Sequence, residues 1–512
     1  MKKIILAILA VTVIFVSCKA KETSPGDASV LRVAMTAQPP TLDTHMTVSQ
    51  VSLTVAKNIF EQLFTLDEEY NPTPELAESV SISPDGLIYT IKIRQGVKFH
   101  NGKTLTSEDI VASMNRWLQF SSRARALLGG SVFEKIDDYT VKLTVPRATQ
   151  DVLLIMSMFQ SCASIHPKEI IETAGATGVT EYVGTGPYKL NEWRADQFIH
   201  LVKNNEYTAK DDGKSASGFA GKKEAPTPEI IFHFVTDHAT RMIGIRTGEY
   251  DIAESVPVEY YDELKNNKDI QVLARPSGSL NLFFNTRNGP LQRVEIRQAV
   301  LAALNMEEIM TASFVGPDHF TLAPGYMNIN QPQWAVKSGA NFYNQGNPAK
   351  ARQMAQAAGY NGQTIVLHTT RDYQEMFAAT IVVQEQLRRA GFETEVKNYD
   401  FPTFLEVKGD YARWDLFITS NGYALAPPQI LPVNPDWAGF NRPEVPVALN
   451  AIRSASSASA ARTEWEKLQQ FMYEYVSSTA LGHYNAYLAA NVNVKGLIFF
   501  DIPVYWNVRV QR

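Results

Sequence analysis

Apolar and polar positions along the chain fall into two periods, one of two residues and one of about 3.6. Leu31-Arg32-Val33-Ala34-Met35 alternates and predicts a strand, and Gln38-Pro39-Pro40-Thr41 behind it forces an extended loop, because proline pushes the residue before it out of the helical region. In VSLTVAKNIFEQLF at 51–64, Val51, Val55, Ile59 and Leu63 share one helical face. LIYTIKIR at 87–94 alternates again, after the turn Ser83-Pro84-Asp85-Gly86. Thr106-Ser107-Glu108-Asp109 has the form of a capping box, and Ile110, Val111, Met114, Trp117 and Leu118 supply the buried stripe of the helix it starts.

Further strands are predicted at YTVKLTV, GPYKLNEW, FIHLVKN and EIIFHFV, and the polar stretch KDDGKSASGFAGKKEAPTP at 210–228 reads as a surface excursion. NLFFNT precedes one amphipathic helix over 294–310, with Ile296, Val300, Leu301 and Leu304 on its apolar side. QTIVLHTT, a helix over 375–390 and ETEVKNYD make a strand–helix–strand unit, the pattern of a parallel crossover. Blocks of strands mixed with such a unit predict an α/β fold, and a length of 512 residues predicts two or more lobes.

Composition narrows the function classes. The formal charge is −5, and a mildly acidic chain without a basic stripe is a poor nucleic-acid binder. Two cysteines exclude a disulfide framework, and Cys162, in MSMFQSCASIH, is expected to be a small buried hydrophobe. Gly184-Thr185-Gly186 lacks the third glycine of a dinucleotide loop and runs into Pro187 and a strand. The nine histidines are scattered, and neither a zinc spacing nor a nucleophile elbow occurs. No motif supports a catalytic residue, a metal site or a cofactor, and none is expected.

At the N-terminus, Lys2-Lys3 and the apolar run Ile4–Val16 are too short for a bilayer span of roughly 30 Å and have the form of a signal peptide. Phe15-Val16-Ser17-Cys18 resembles the lipobox of bacterial lipoproteins, which implies cleavage after residue 17, a lipid on Cys18 and a tether over 18–29.

Arg94 to Trp117, RQGVKFHNGKTLTSEDIVASMNRW, resembles the signature of the bacterial extracellular solute-binding proteins of the peptide, nickel and opine class. VGTGPYKLNEW at 183–193, IRTGEYDIAE at 245–254, FFNTRNGPLQRVEIRQAVLAALN at 283–305 and VYWNVRV at 504–510 follow in family order. The resemblance implies a hinged periplasmic-binding-protein-like fold with two ligand-binding lobes plus a third inserted domain. Domain I would comprise 30–58, 185–275 and 482–512, the inserted domain II 59–184, and domain III 276–481. It implies an exported, lipid-anchored monomer in the periplasm or at the cell surface, the substrate-binding component of an ABC importer. This would capture a peptide-like or other polar organic solute and deliver it to the permease's transmembrane subunits.

Peptide binders of this family hold the ligand ammonium with an aspartate in a domain III loop. The corresponding stretch here, WDLFITSNGYALAPPQILP, has no acid between Asn421 and Leu431, so a free-amine peptide needs another partner. Expected ligand contacts are Asn421 and Tyr423 in that loop, Arg371 and Tyr373 in HTTRDY, and Thr41, Asp43, His45 and Met46 in the first domain I loop; Arg371 would take a carboxylate or phosphate side-on. A nickel or other metal chelate is the alternative cargo. An exported hydrolase is the alternative from another class, without a nucleophile motif to support it.

Overall fold

The computed structural model describes residues 30–149, 151–175, 178–211, 213, 215–438 and 442–511; the expected signal peptide, the tether and Cys18 lie outside the described residues. Its spine is an eleven-stranded sheet. Two long antiparallel strands, Ile270–Phe284 and Ser478–Asn491, run through the middle of that sheet and join its halves. Val30–Met35, parallel to Glu229–Phe234 and to Ile252–Ala253, builds the first half. Ile365–Thr370, parallel to Thr394–Tyr399 and Leu416–Gly422, builds the second. Parallel strands of an open sheet gather ligands beyond their carboxyl ends, so the loops after Met35, Ala253, Thr370 and Gly422 are where a site would form.

Between Pro276 and Gly278 the pairing of the two long strands shifts register, leaving Ser277 as an extra residue where the halves meet. Such a bulge bends the strand and raises its local twist. Backbone geometry therefore marks the junction even though both strands continue through it.

A separate four-stranded antiparallel sheet is built from Ala77–Ile82, Ile88–Ile93, Thr140–Thr144 and Val132–Asp137. Tyr89, Ile91, Ile93, Phe133, Val141 and Leu143 are its buried positions, packed with Ile110, Met114 and Trp117 of the helix Ser107–Phe120 in one apolar cluster. At that helix start the Asp109 carboxylate accepts the Thr106 N–H at 3.0 Å and the Thr106 hydroxyl at 3.2 Å. The cluster continues through Leu31, Val33 and Phe60 to Tyr505 and Trp506, so the segment around this small sheet shares its core with the first half of the large one. A second cluster, from Leu280 to Leu481, fills the other half.

Three local expectations change. The helix expected over 294–310 is two, Val294–Ala303 and Met306–Phe314, because the Asn305 side chain caps the second by accepting from the Glu308 N–H. The helix from Gln50 stops at Ile59, where Gly184 and Gly186 press on its end; a Cβ on either would stand 2.1 to 2.6 Å from the Ile59 carbonyl oxygen. The stretch 210–228 is no mere surface excursion, since Phe219 is wholly buried and Lys223 is 4 % exposed.

Lys223 explains that burial. Its ammonium reaches Glu75 at 2.5 Å and Glu61 at 3.6 Å. Glu61 also accepts from the Tyr207 and Thr185 hydroxyls at 2.7 and 2.9 Å, Glu75 accepts the Gln62 N–H at 2.7 Å, and Lys57 donates to the Gln62 side chain at 2.5 Å. Two buried cations and two buried anions thus close on one another, the condition under which buried charge is tolerated. Cys162 is buried and unbridged. Among the described residues, no helix is long and apolar enough to cross a membrane.

Candidate ligand cleft

The strand Leu416–Gly422 delivers Asn421, Gly422 and Tyr423 to the junction, and the proline-rich run after them folds back as two short turns, Pro427–Gln429 and Leu431–Val433. Facing them is the helix Ser122–Leu128 of the inserted segment. Between the two lies a cavity of about 440 Å³, lined on one side by Arg123 and Leu127 and on the other by Ser279, Tyr326, Asn421, Tyr423 and Gln429.

Two of these side chains carry an acceptor without a donor. Asn421 Oδ1 and Gln429 Oε1 are both buried and unpartnered among the described residues. An unmade bond at a buried carbonyl costs about 1–3 kcal/mol, and a small rotation of either side chain would turn its oxygen toward the cavity that both residues line. The Tyr423 hydroxyl is already engaged with His483 Nδ1 at 2.7 Å, and the two rings stack at 5.7 Å. Burial pushes the His483 imidazole down to about 4, so it is neutral at physiological pH.

A second cavity, of about 530 Å³, lies across the sheet junction between 255–259 of the first half and Phe314, Val315, His319, Gln374 and Glu375 of the second. Asn485, Ala486 and Tyr487 of the second long strand line it as well. Both cavities lie where the carboxyl ends of the parallel strands point. Glu375 connects them in part, because it accepts from Ser420, the neighbour of Asn421, at 3.0 Å.

The structure brings together only part of the expected set. Asn421 and Tyr423 line the first cavity. Arg371 and Tyr373 do not; Arg371 is exposed with its guanidinium over the Phe377 ring at 4.7 Å, and Tyr373, 42 % exposed, leans on Phe401 at 4.7 Å. Asp43 and His45, expected at the cleft, are instead fully buried. Arg116 of the inserted segment grips both Asp43 oxygens at 3.0 and 2.6 Å and donates to His45 Nδ1 at 3.0 Å, while the Val179 N–H adds a third bond to Asp43 at 2.8 Å. Burial opposes ionisation of Asp43, but the Arg116 and Val179 bonds outweigh it and hold the carboxyl below its ordinary value. Burial pushes His45 down to about 4. Thr41 supports this loop, its hydroxyl accepting the Asp43 N–H at 3.0 Å, and Met46 points outward at 43 % exposure. The first loop is therefore a clasp between segments, built from a pair 73 residues apart in sequence.

Sequence reasoning missed Gln429, Ser279 and Arg123, which carry no motif.

Residues 71–434 match the family model described as bacterial extracellular solute-binding proteins, family 5 Middle. The chain is 26% identical over 491 residues, 90% of each chain, to a protein of Sinorhizobium fredii named "Probable peptide ABC transporter periplasmic-binding protein". It is 28% identical over 371 residues, 70% of this chain and 67% of the relative, to a glutathione-binding protein of Escherichia coli K12. An ABC transporter substrate binding protein of Listeria monocytogenes superposes over 95% of this chain and 100% of its own, with a TM-score of 0.80 at 20% identity. The fold is that of the periplasmic binding proteins, with the α/β architecture expected from the sequence.

Proposed function

The chain belongs to family 5 of the bacterial extracellular solute-binding proteins, and from that premise we propose that it is the substrate-binding component of an ABC importer. It takes a peptide-like or other polar organic solute into the cleft and hands it to a membrane permease, with no bond made or broken. The observation that carries this reading is the cavity of about 440 Å³ at the carboxyl end of the strand Leu416–Gly422, lined by Asn421 and Gln429, whose buried amide oxygens have no donor among the described residues. That volume falls within the range of small-molecule sites, and neutral amide oxygens suit the N–H groups of a peptide-like solute. Relatives named for peptides and glutathione fit the same class of cargo.

In this reading the three-part division holds, with 30–58, 185–275 and 482–512 as one lobe, 276–481 as the other and 59–184 as the insertion. The bulge at Ser277 serves as the hinge about which the lobes close. Export is followed by lipidation of Cys18, which keeps the receptor at the membrane while its permease is reached.

Thermal unfolding of the purified protein across peptide, sugar, opine and metal-chelate panels tests the reading. A ligand at 100 times its Kd adds about 2.7 kcal/mol of stability, and total silence across the panels sinks the proposal. Mass spectrometry of the small molecules released from natively purified protein would name the cargo.

A further inference from the structure

A third cavity, of about 180 Å³, lies where the inserted segment meets the second half, and it shares no lining residue with the other two. Tyr70, Asp151 and Leu154 line it from the inserted segment, and Gln331, Trp334 and Ile452 from the second half. Tyr70 belongs to the first apolar cluster, and Trp334 and Ile452 belong to the second. The cavity therefore sits on the seam between two cores that pack against each other without fusing.

Its polar lining is one-sided. Asp151, half-buried, directly precedes the short helix Val152–Ser157 without capping it, and its carboxylate makes no hydrogen bond or ion pair among the described residues. Burial raises that carboxyl above its ordinary value, and Arg453, close enough to oppose this, forms no ion pair with it. Gln331 is 1 % exposed; its Nε2 donates to the Leu425 carbonyl at 3.4 Å, and its Oε1 is buried with no donor among the described residues. A rotation of the Gln331 side chain would carry that oxygen to the cavity it lines. Glu69 adds an exposed carboxylate, while the Gln333 amide donates away from the cavity, to the Ala458 carbonyl at 2.7 Å. Among the described residues that line the cavity, none is a lysine, arginine or histidine.

We propose that this cavity is a second binding site, for a small organic ammonium ion, with the ammonium on the Asp151 carboxylate and the hydrocarbon body against Leu154, Trp334 and Ile452. A neutral or anionic occupant would leave Asp151 without a counter-charge in a half-buried place, whereas an ammonium pairs it and has further N–H groups for Gln331. Tryptophan is the ring that attracts cations most strongly, and apolar walls take an apolar body. A bare metal ion does not suit the site, because among the described residues no three acids, histidines or cysteines gather as ligands and the remaining walls are aliphatic. An apolar cavity of about 150 Å³ takes a benzene ring, so one of about 180 Å³ admits a short alkyl or aryl ammonium and excludes a peptide. Leu425, which also lines the cavity, belongs to the loop that carries Asn421 and Tyr423, so an occupant braces that loop while touching the inserted segment and the second half together. The site lies apart from the cleft and stands whatever the cargo is.

Titration calorimetry of the full chain with n-butylammonium tests it, against 1-butanol and butanoate as the neutral and anionic counterparts. The expected result is one n-butylammonium per chain, bound at least about tenfold more tightly than either counterpart, with an equal loss in Asp151→Asn. That variant should keep its unfolding temperature, because the carboxylate bonds nothing in the fold. Ala458→Trp, at an exposed position of the lining, should block the cavity and abolish binding with the acid still in place. Hydrogen exchange should slow on binding at 69–72, 151–155 and 331–334. Silence of n-butylammonium overturns the inference, as does 1-butanol binding equally well, or affinity indifferent to Asp151→Asn or to Ala458→Trp. Should Asp151→Asn fail to fold, Ala458→Trp decides. Asn421→Ala, in the first cavity, should leave n-butylammonium binding unchanged; a loss there would place the amine in the cleft and remove this site, with the importer function still standing.

Discussion

Around Lys223 two cations and two carboxylates are buried and each has a partner, drawn from Glu61, Glu75, Lys57, Gln62, Tyr207 and Thr185. Beside the first cavity Asn421 Oδ1 and Gln429 Oε1 are buried as well, and among the described residues neither has one. The same side-chain chemistry thus appears in two states of satisfaction. Closure marks a structural joint, because every group is already stabilised by the fold. Incompleteness also occurs in the core, at Asn58 and His368 for example, but beside a cavity it leaves groups that a ligand can complete.

Lys223→Met attacks the closed cluster most directly. It removes the one cation that contacts both Glu61 and Glu75 and leaves only Lys57, bonded to Gln62, nearby, and denaturant unfolding should register a loss of about 3–5 kcal/mol. A loss under about 1 kcal/mol would mean that the cluster is no structural joint, and the contrast with the cleft would collapse.

Asp43→Asn probes the second satisfied pair and strands Arg116, which is almost wholly buried. A drop of about 3 kcal/mol is expected, with ligand affinity per folded molecule unchanged. A selective loss of binding instead would return the first loop to the cleft.

Acidification tests the buried histidines of both regions without any substitution. His45, His100 and His483 are pushed down to about 4 and His368 to about 3, in each case chiefly by burial, from an ordinary value of 6.5. A depressed folded-state value means stability that is present above 6.5 and lost as pH falls toward 4, because the unfolded chain takes up the protons first. Glu254 and Asp415 work the other way; burial raises them to about 7 and about 6, so their protonation favours the folded state over part of the same range. Four histidines against two acids leave a net loss on the order of a few kcal/mol between pH 7 and 5. Unfolding temperatures that stay flat across this window would show that the histidines are not held neutral.

Asn421→Ala and Gln429→Ala should have the smallest effect on stability and the clearest on function. Each removes an unpaired acceptor and some packing together, so unfolding should hold or shift upward, by at most about 1–3 kcal/mol. Ligand affinity should fall about tenfold per substitution, the worth of one hydrogen bond. Calorimetry on the natural ligand decides it, and unchanged affinity in both variants would detach this loop from recognition.

Much of this was legible in the chain. Alternation placed Leu31–Met35 and Ile88–Ile93 in strands, the strand–helix–strand pattern around 365–399 paired in parallel, and Asn421 and Tyr423, expected from the family resemblance, line a cavity at the end of the strand Leu416–Gly422. Legibility ended where a polar residue's environment depended on distant chain. Lys223 looked like loop surface and is a core cation paired 148 residues away; Asp43 looked like cleft and is a clasp. Arg371 had the right chemistry at a strand's carboxyl end, but its side chain lies outward over Phe377.

By itself the sequence determined what local stereochemistry and periodicity can encode: the elements, their caps and turns, the α/β class, and a family signature in order along the chain. Only the tertiary structure decided which polar groups are satisfied and which are not. Tyr70 meets Asp501 across 431 residues, and Arg275 reaches Phe499 through the packing of a long strand on the C-terminal segment. Burial and partnership are properties of the space between segments, and no window along the chain contains them.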